Sequence, residues 1–418
     1  MNTNDIVVSL PASKSLSNRW IVLNYLLDNA FQLRNLSDSD DTQLLRRLLA
    51  QLHKNGASSS KGTKTPTILY CDNAGTVARF LMSLVCVEKG VFLLTGSERL
   101  RQRPMKGLIE ALRSMGFLLV CEGQEGTLPV RIEGGTPRRK MAFVDASQSS
   151  QFVSSLLLLG VALPDGISVS MNSRPVSRPY IEMTCDVLRQ AGMTVTRSVN
   201  GRIYQVERLE KHPVMRAVTI ESDWSSASYF YSIAALSPGH RIRMKGLSLQ
   251  SSQGDCIVAE IFEKLGVTTR EVKSPYRTGI HSVTVDGVRP ADKILKYSFV
   301  DCPDLLPTVA VVCAALGVKA QLTGVKNLRG KESNRLKAIE TELNKMGGKV
   351  TVTANEMRIA SSELTPVQPV ETYDDHRIAM AFAPLLLRFP NMKIVNPEIV
   401  SKSFPDFWNQ LKIVMRKV

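Results

Sequence analysis

The sequence lacks the cysteine pattern of a disulfide-stabilised or zinc-binding protein. Its seven cysteines are scattered along 418 residues, and no two of them form a CxxC pair. A disulfide framework uses an even number of cysteines at short spacings, and zinc sites commonly use paired ones. We therefore expect free thiols. Cys86, Cys185 and Cys313 lie in apolar stretches and are predicted to be buried.

The sequence also lacks long hydrophobic runs. No stretch approaches the ~20 apolar residues that a membrane-spanning helix needs. The opening residues, MNTNDIVVSL, have none of the charged, apolar and small-residue segments of a secretory signal. These absences predict a protein of the cytoplasm that does not enter a membrane.

Acidic residues are scarce relative to basic ones. The chain has 38 Asp and Glu residues against 53 Lys and Arg residues, a formal net charge of +15. Such a charge can serve nucleic-acid binding or the capture of small anionic substrates. It can also be no more than a basic solvated surface, and composition alone favours that reading. The length suits two domains.

What the sequence does contain is a repeat. Polar residues lead into apolar helical runs at six regularly spaced places, which begin at Lys14, Asp72, Ser149, Ser225, Cys302 and Asp374. A second helical series stays in phase with the first and begins at Asp40, Arg103, Arg178, Gln253, Glu332 and Phe404. Short β-like runs such as VFLLTG, ISVSM and MKIVNP lie between the helices. The chain is therefore predicted to contain six units of roughly 70 residues, three in each of two domains.

The first helix of each predicted unit is apolar nearly all round, so its polar chemistry is concentrated at its N-terminal end. Helix N-termini present free N–H groups and a positive partial charge, which suit anions. In PASKSLSNR, three serines and two cations stand at such a start. One hydroxyl is enough to cap a helix. The remaining polar groups favour an anion site.

These stretches resemble the enolpyruvyl transferases. The motifs that carry the resemblance follow the family's order over nearly the whole chain: PASKSLSNR, DNAGTVAR, LTGSERLRQRP, SSQF, SRPY, ESDWSSASYF, QGD, PDLLPT, NLRGKESNRL, DDHRIAM and KSFPD. The resemblance implies an α/β fold of two domains, each with three βαβαββ units, and an active site in the interdomain cleft. It implies that residues 14–222 form one domain, and that residues 1–13 and 223–418 form the other.

Within the family, the resemblance points to the members that transfer the enolpyruvyl (carboxyvinyl) group of phosphoenolpyruvate to the 5-hydroxyl of shikimate 3-phosphate and release phosphate. That reaction needs an acid for a carbon atom, a base for a hydroxyl, and cations for a carboxylate and two phosphates. The resemblance implies a monomer that needs no metal or other cofactor. The sequence has neither a GxxxxGK[ST] loop nor a GxGxxG fingerprint.

The resemblance also assigns roles to individual residues. At the reacting centre, it implies that Lys14 takes part in proton transfer, that Asp304 accepts the hydroxyl proton, and that Glu332 exchanges a proton with the methylene carbon. The residues implied to bind phosphoenolpyruvate are Lys14, Asn73, Gly75, Thr76, Arg79, Arg103, Gln151, Arg335, Arg377 and Lys402. The residues implied to bind shikimate 3-phosphate are Lys14, Ser15, Arg19, Ser149, Ser150, Gln151, Ser177, Arg178, Tyr180, Asp304, Asn327 and Lys331. His376 is expected to orient its neighbours.

Two positions depart from the family's pattern. Asp72 stands where the family usually has a small residue, so it is expected to place a negative charge near an anion site. Phe80 follows Arg79 where proline is common, and is expected to alter how that helix begins.

Three other functions are compatible with parts of the sequence. A sister enolpyruvyl transferase acts on UDP-N-acetylglucosamine, but it typically has an asparagine after the N-terminal lysine and a reactive loop cysteine. Here Ser15 follows Lys14, and GSERLRQRP has no cysteine. A nucleic-acid-binding protein would use the net charge, yet aromatic residues for stacking make up only 6% of the chain. An inactive binding protein would not need to retain Lys14, Asp304 and Glu332.

Overall fold

The computed structural model describes residues 5–58, 65–207, 216–272, 281–287 and 293–418. The strands are β1 (Ile6–Val8), β2 (Phe31–Arg34), β3 (Thr67–Tyr70), β4 (Val91–Thr95), β5 (Leu118–Cys121), β6 (Val130–Glu133), β7 (Met141–Val144), β8 (Ile167–Met171), β9 (Val195–Arg197), β10 (Ile203–Val206), β11 (Arg216–Thr219), β12 (Arg241–Lys245), β13 (Val267–Val272), β14 (Ser282–Gly287), β15 (Ile294–Ser298), β16 (Lys319–Thr323), β17 (Lys349–Val352) and β18 (Glu356–Ala360).

The α-helices are α1 (Lys14–Leu26), α2 (Asp40–Ser58), α3 (Gly75–Leu84), α4 (Glu98–Arg101), α5 (Lys106–Met115), α6 (Ser150–Leu159), α7 (Arg178–Gln190), α8 (Trp224–Leu236), α9 (Val258–Glu263), α10 (Leu306–Ala315), α11 (Arg335–Lys345), α12 (His376–Phe382) and α13 (Phe407–Met415). Short 3₁₀ helices cover Gly160–Ala162, Gly254–Ile257, Pro303–Leu305, Lys326–Gly330, Ala383–Leu387 and Pro397–Lys402.

The two helical series predicted from the sequence are both present. The first series corresponds to α1, α3, α6, α8, α10 and α12, and the second to α2, α5, α7, α9, α11 and α13. Each predicted polar start lies within a few residues of the first residue of its helix or of the 3₁₀ turn that leads into it. The prediction of six repeated units is confirmed.

Four sheets of the described chain share one topology. Their strand orders are β3-β4-β6-β5, β7-β8-β10-β9, β1-β12-β14-β13 and β15-β16-β18-β17. In each sheet the first two strands are parallel, and the last two pairings are antiparallel. This is the pairing of a βαβαββ unit. A helix connects the two parallel strands directly in three of these sheets, whereas β1 and β12 are separated by the N-terminal unit as well as by α8.

The other two units have smaller β-pairings among the described residues. Strands β2 and β11 form a two-stranded parallel sheet. In the last unit, Val370 and Ile394 form an isolated parallel bridge. The prediction of a strand over MKIVNP was therefore wrong, since this segment makes one isolated bridge and no ladder.

The chain divides into two compact units. The N-terminal unit contains Lys14–Leu36 and Asp40–Ile220. The C-terminal unit contains the chain up to Ser13, Ser37–Ser39 and Glu221–Val418. The sequence-based division differs from these units at residues 37–39, 221 and 222.

Residues 221 and 222 belong to the C-terminal unit because they pair with the segment that follows β1. The Ser13 N–H donates to the Glu221 carbonyl oxygen at 2.8 Å. Ala12 and Ser222 form an isolated antiparallel bridge. These backbone contacts join residues 221 and 222 to the segment that follows β1, across the boundary that the family resemblance implied.

Helices of the first series form the core of each unit. Every residue of α8 and of α12 is buried, as are Leu306–Ala314 of α10. A helix that is buried all round has no exposed face for polar side chains, so a buried serine within it, such as Ser232 of α8, donates to a backbone carbonyl oxygen of the same helix. Cys86, Cys185 and Cys313 are buried free thiols, as predicted. Among the described residues, no helix is both long enough and apolar enough to cross a bilayer.

Candidate active site

In the N-terminal unit, Lys14 is the first residue of α1. Its Nζ donates to Asp41 Oδ2 at 3.0 Å, and both side chains are largely buried. Asp41 lies in the first turn of α2, so this ion pair joins the starts of two helices. The sequence analysis did not single out Asp41. Ser15 follows Lys14 and accepts a hydrogen bond from Arg19 through its backbone oxygen.

Gln151 links the starts of α6 and α3. Ser149 caps α6 by accepting from the Gln151 N–H at 3.2 Å, the ordinary structural role expected for one of the two serines. The Gln151 side chain donates to Thr76 Oγ1 at 2.8 Å and accepts from Arg79 Nη1 at 2.6 Å. Ser150, the first residue of α6, is buried beside it.

Arg79 and Arg103 are buried cations of the same cluster. The Arg79 guanidinium lies over the Phe152 ring at 5.5 Å and donates to the Pro104 carbonyl oxygen. Arg103 Nη1 lies 3.5 Å from the Asn73 carbonyl oxygen. A Cβ atom at Gly75 would lie 2.7 Å from the Arg103 guanidinium. A side chain at position 75 would therefore displace the Arg103 guanidinium. We call Asn73, Gly75, Thr76, Arg79, Arg103 and Gln151 the N-terminal cluster.

Arg19 lies apart from this cluster, in the interior of the unit. Its guanidinium donates to Thr184 Oγ1 at 2.8 Å, to the Tyr180 carbonyl oxygen at 3.0 Å and to Ser154 Oγ. With the Ser15 contact, four of its five N–H donors are used by protein atoms. Burial lowers the pKa of Arg19 to about 10, so it stays charged at neutral pH. This geometry indicates that Arg19 joins α1, α6 and α7.

The two departures from the family's pattern have different surroundings. Phe80 lies in the middle of α3, is buried, and packs beneath the Arg19 guanidinium at 5.6 Å. Phe80 thus lies five residues after the first residue of α3, and the effect expected of it on the beginning of the helix stays a prediction. Asp72 is exposed in a turn with a φ of 44°, and its carbonyl oxygen accepts from the Ser97 N–H.

The SRPY motif stands at the start of α7. Ser177 is buried with a φ of 54° and makes no side-chain capping hydrogen bond. The Arg178 side chain is 43% exposed and pairs with Glu182 at 3.6 Å. Tyr180 contributes its backbone oxygen to Arg19, Ser154 and Thr184. The Tyr180 backbone oxygen thus joins α1, α6 and α7.

In the C-terminal unit, Arg335 is the centre of a buried ionic network. Its side chain is 1% exposed and donates to Asp375 Oδ2 at 2.8 Å, to Asp304 Oδ1 at 2.8 Å and to Glu332 Oε2 at 2.7 Å. Despite the effect of burial, the charges of Asp375, Glu332 and Asp304 raise the pKa of Arg335 above its usual value. One guanidinium therefore holds three carboxylates.

Asp304 is surrounded by cations. Besides Arg335, it accepts from Arg377 Nη2 at 2.9 Å and from Lys331 Nζ at 3.3 Å. Burial alone would raise the pKa of Asp304, but the charges of Arg377, Lys331 and Arg335 hold it below its usual range. Burial is also the largest influence on Lys331 and lowers its pKa. Asp304 is thus an ionised counter-ion in this structure.

Sequence analysis missed the central role of Asp375. Its side chain caps α12 by accepting from the Arg377 N–H at 3.0 Å, and it also accepts from Ser333 and Arg335. The neighbouring His376 is buried, with Nδ1 3.8 Å from Asp375 Oδ1. The two consecutive aspartates of DDHR were a sequence signal that could have indicated a carboxylate paired with buried cations. We call Asp304, Lys331, Glu332, Arg335, Asp375 and Arg377 the C-terminal cluster.

Two further predicted ligands lie on 3₁₀ turns. Lys402 is buried at the end of Pro397–Lys402. Asn327 lies in Lys326–Gly330, and its Oδ1 is buried without a hydrogen-bond partner in the protein. Across the part of the chain that the structure describes, no group of three or more His, Cys, Asp or Glu side chains is arranged to hold a metal ion.

Fold and side chains together define a class: a two-unit α/β protein built from repeated βαβαββ units, with buried cations grouped at helix starts. The family model for EPSP synthase (3-phosphoshikimate 1-carboxyvinyltransferase) matches residues 4–411. The chain therefore belongs to that family, and the resemblance found in the sequence is confirmed.

Individual relatives cover nearly the whole chain. It is 36% identical over 410 residues to the 3-phosphoshikimate 1-carboxyvinyltransferase of Bacteroides fragilis, covering 97% of this chain and 94% of the relative. It is 34% identical over 414 residues to the enzyme of that name from Syntrophobacter fumaroxidans, covering 96% and 95%. The solved structure of EPSP synthase from Acinetobacter baumannii matches with a TM-score of 0.74 at 23% identity, covering 97% of this chain and 94% of that one. At that identity, the structural match shows the shared fold.

The Arg335 network predicts a pH-dependent loss of stability in Arg335→Met. Removing the cation leaves three neighbouring carboxylates without it, so we expect a loss of about 3–5 kcal/mol of unfolding free energy at neutral pH. In the wild type, the stability that comes from the low pKa of Asp304 is complete above the ordinary aspartate pKa of about 3.9 and is lost only as the pH falls below it, so it is unchanged between neutral pH and about pH 5. In the variant, protonation relieves repulsion, so the loss should shrink at about pH 5.

Urea unfolding at both pH values tests this prediction. Lys337→Met is the matched control, because Lys337 lies on the same helix in an exposed ion pair with Glu340. We expect it to lose no more than about 1 kcal/mol at either pH. The stabilising role of the Arg335 network would be contradicted if Arg335→Met lost as little unfolding free energy as the control, or if its loss of unfolding free energy grew on acidification.

Proposed function

We propose that this chain transfers the enolpyruvyl group of phosphoenolpyruvate to the 5-hydroxyl of shikimate 3-phosphate, giving 5-enolpyruvylshikimate 3-phosphate and phosphate. The observation that carries the proposal is membership of the EPSP synthase family over residues 4–411. Buried cations at the motif positions support it, because both substrates are anions. We propose that the chain acts as a monomer in the cytoplasm, without a metal or organic cofactor and without binding nucleic acid.

The proposed chemistry is an addition followed by an elimination. The 5-hydroxyl oxygen bonds to C2 of phosphoenolpyruvate and loses its proton, while C3 gains a proton and becomes a methyl group. The C2–O bond to phosphate then breaks, and C3 gives up a proton to restore the double bond. No bond to the protein forms. The protein must therefore supply proton carriers and stabilise negative charge.

We propose that residues of both units are needed for this reaction. Arg79, Arg103 and Gln151 of the N-terminal cluster would bind phosphoenolpyruvate with Lys14, and Arg335, Arg377 and Lys402 of the C-terminal unit would do the same. A planar guanidinium suits this task because it offers two parallel hydrogen bonds to a carboxylate or phosphate. The shikimate 3-phosphate ligands would be Ser15, Ser149, Ser150, Gln151, Ser177, Arg178, Tyr180, Asn327 and Lys331, with Arg19 acting from the interior.

Asp304 would act as the base for the hydroxyl, and Glu332 would exchange the proton at C3. In the ligand-free structure, the pKa of Asp304 is held low by three cations, which makes it a weak base. A substrate carboxylate or phosphate that binds Arg335 and Arg377 adds negative charge beside Asp304. Like charges disfavour ionisation and raise a carboxyl pKa. The base would thus become stronger once the donor substrate is bound.

Phosphate release from phosphoenolpyruvate tests the proposal. The purified chain is mixed with phosphoenolpyruvate alone, with added shikimate 3-phosphate, or with added UDP-N-acetylglucosamine. We expect release only with shikimate 3-phosphate. Release only with the nucleotide sugar would favour the sister transferase, and binding of both proposed substrates without release would favour an inactive binding protein.

The close approach of Gly75 and Arg103 predicts the effect of Gly75→Ala. The added methyl group would displace the Arg103 guanidinium, which would lose a charged hydrogen bond to phosphoenolpyruvate. We expect the KM for phosphoenolpyruvate to rise by about 10- to 150-fold, with a much smaller change for shikimate 3-phosphate. The control is Gly123→Ala, whose added Cβ would have its nearest neighbour at 3.9 Å. Equal KM values for Gly75→Ala and Gly123→Ala would remove Arg103 from the donor site.

A further inference from the structure

The QGD motif, Gln253 to Asp255, has no role in the assignments above, yet it is buried against the start of α8. Asp255 is 2% exposed and accepts a hydrogen bond from Ser225 Oγ. Ser225 is the second residue of α8, whereas Asp255 lies in the 3₁₀ helix Gly254–Ile257. An acidic side chain in such a buried position costs free energy unless a partner compensates it.

Ser225 connects Asp255 to Arg377. Arg377 Nη2 lies 3.4 Å from Ser225 Oγ and 2.9 Å from Asp304 Oδ2. The same Arg377 nitrogen is therefore shared between a carboxylate of the C-terminal cluster and a hydroxyl that belongs to the core. Three elements, α8, α12 and the 3₁₀ helix, meet at this hydroxyl.

The chemistry of the three groups fixes the direction of the hydrogen bonds that join Arg377, Ser225 and Asp255. A guanidinium can only donate hydrogen bonds, and an ionised carboxylate can only accept them. The Ser225 hydroxyl must therefore give its proton to Asp255 and turn a lone pair toward Arg377. Burial raises the pKa of Asp255, whereas the charge of Arg377 and the hydrogen bond from Ser225 lower it and favour the carboxylate form. Hydrogen bonds in such a series polarise one another.

Gln253 holds the carboxylate and the helix in register. Its side chain accepts from the Trp224 N–H at 3.2 Å and donates to the Ser222 carbonyl oxygen at 2.8 Å. These bonds tie the turn that carries Asp255 to the residues on either side of the α8 N-cap. The first residue of the QGD motif thus places the turn, and the last residue orients the hydroxyl.

We propose that Asp255, acting through Ser225, is a positioning residue that aims the Arg377 guanidinium at the donor substrate. The proposal rests on the proposed function, in which Arg377 binds phosphoenolpyruvate. When a substrate anion replaces Asp304 as the partner of Arg377, Ser225 keeps one guanidinium nitrogen in place. The guanidinium then does not have to be ordered at the moment of binding, which lowers the cost of binding.

The kinetic test uses Asp255→Asn and Ser225→Ala. An asparagine amide can donate to Ser225 and so no longer fixes the direction of the hydroxyl, while alanine removes the hydroxyl. We expect each variant to raise the KM for phosphoenolpyruvate by about 3- to 10-fold, with the KM for shikimate 3-phosphate within about 2-fold. The double variant should have the same KM for phosphoenolpyruvate as each single variant, because both changes break the same series of hydrogen bonds.

The control is Ser232→Ala, on the same helix. Ser232 is buried and donates to the Ser228 carbonyl oxygen within α8, so it tests the loss of a buried hydroxyl alone. We expect wild-type KM values for it. If all three single variants raise both KM values alike, or if the effects of Asp255→Asn and Ser225→Ala multiply in the double variant, the positioning role is overturned.

A second measurement does not depend on the enzyme's activity. NMR spectroscopy of the arginine guanidinium groups follows Arg377 directly, with its signal assigned by its loss in Arg377→Lys. We expect Asp255→Asn and Ser225→Ala to shift or broaden this signal, and Ser232→Ala to leave it unchanged. If neither Asp255→Asn nor Ser225→Ala changes the Arg377 signal, the positioning role of Asp255 is overturned. If the two variants change the Arg377 signal but the wild-type protein releases no phosphate in the assay, the proposed function is refuted and the positioning role of Asp255 is retained.

Discussion

A buried cation needs buried negative charge beside it, and in the C-terminal unit Arg335 meets three carboxylates at once. Asp304 and Asp375 both accept hydrogen bonds from the Arg335 guanidinium, which compensates their negative charge in the core. Through Asp304 the network includes Lys331 and Arg377. The positions of these cations before any ligand binds thus follow from charge compensation among the protein's own side chains.

The repeated architecture explains why these charges collect where they do. Helices such as α8 and α12 are buried along their whole length, and the arginine of α12, Arg377, lies in its first turn. The free N–H groups and the positive partial charge at a helix start stabilise negative charge placed beside them. The N-terminal unit uses the same arrangement, with Lys14 paired to Asp41 and with Gln151 joining α6 to α3. A repeated fold has therefore produced repeated clusters of polar and charged side chains near helix starts.

The fold was largely predictable because its signal is long-range and periodic: two helical series stay in phase over six units. The segment MKIVNP was overestimated because a short apolar run does not show whether it has a partner strand. Local motifs identified Lys14, Arg335 and Asp304, but not what their side chains contact. That Arg19 points inward over Phe80, and that Asp255 and Asp375 act on arginines distant in sequence, depends on tertiary packing that local spacing does not contain.

The account depends most directly on the state of Asp304, which should be an ionised counter-ion to three cations in the ligand-free protein. An NMR titration of the side-chain carboxyl carbons, with the Asp304 signal assigned by its loss in Asp304→Asn, measures that state. The account predicts that Asp304 stays ionised as the pH falls through the ordinary aspartate pKa of about 3.9. A carboxyl that becomes half protonated at or above that value would show that the cations do not face Asp304, and would contradict the account.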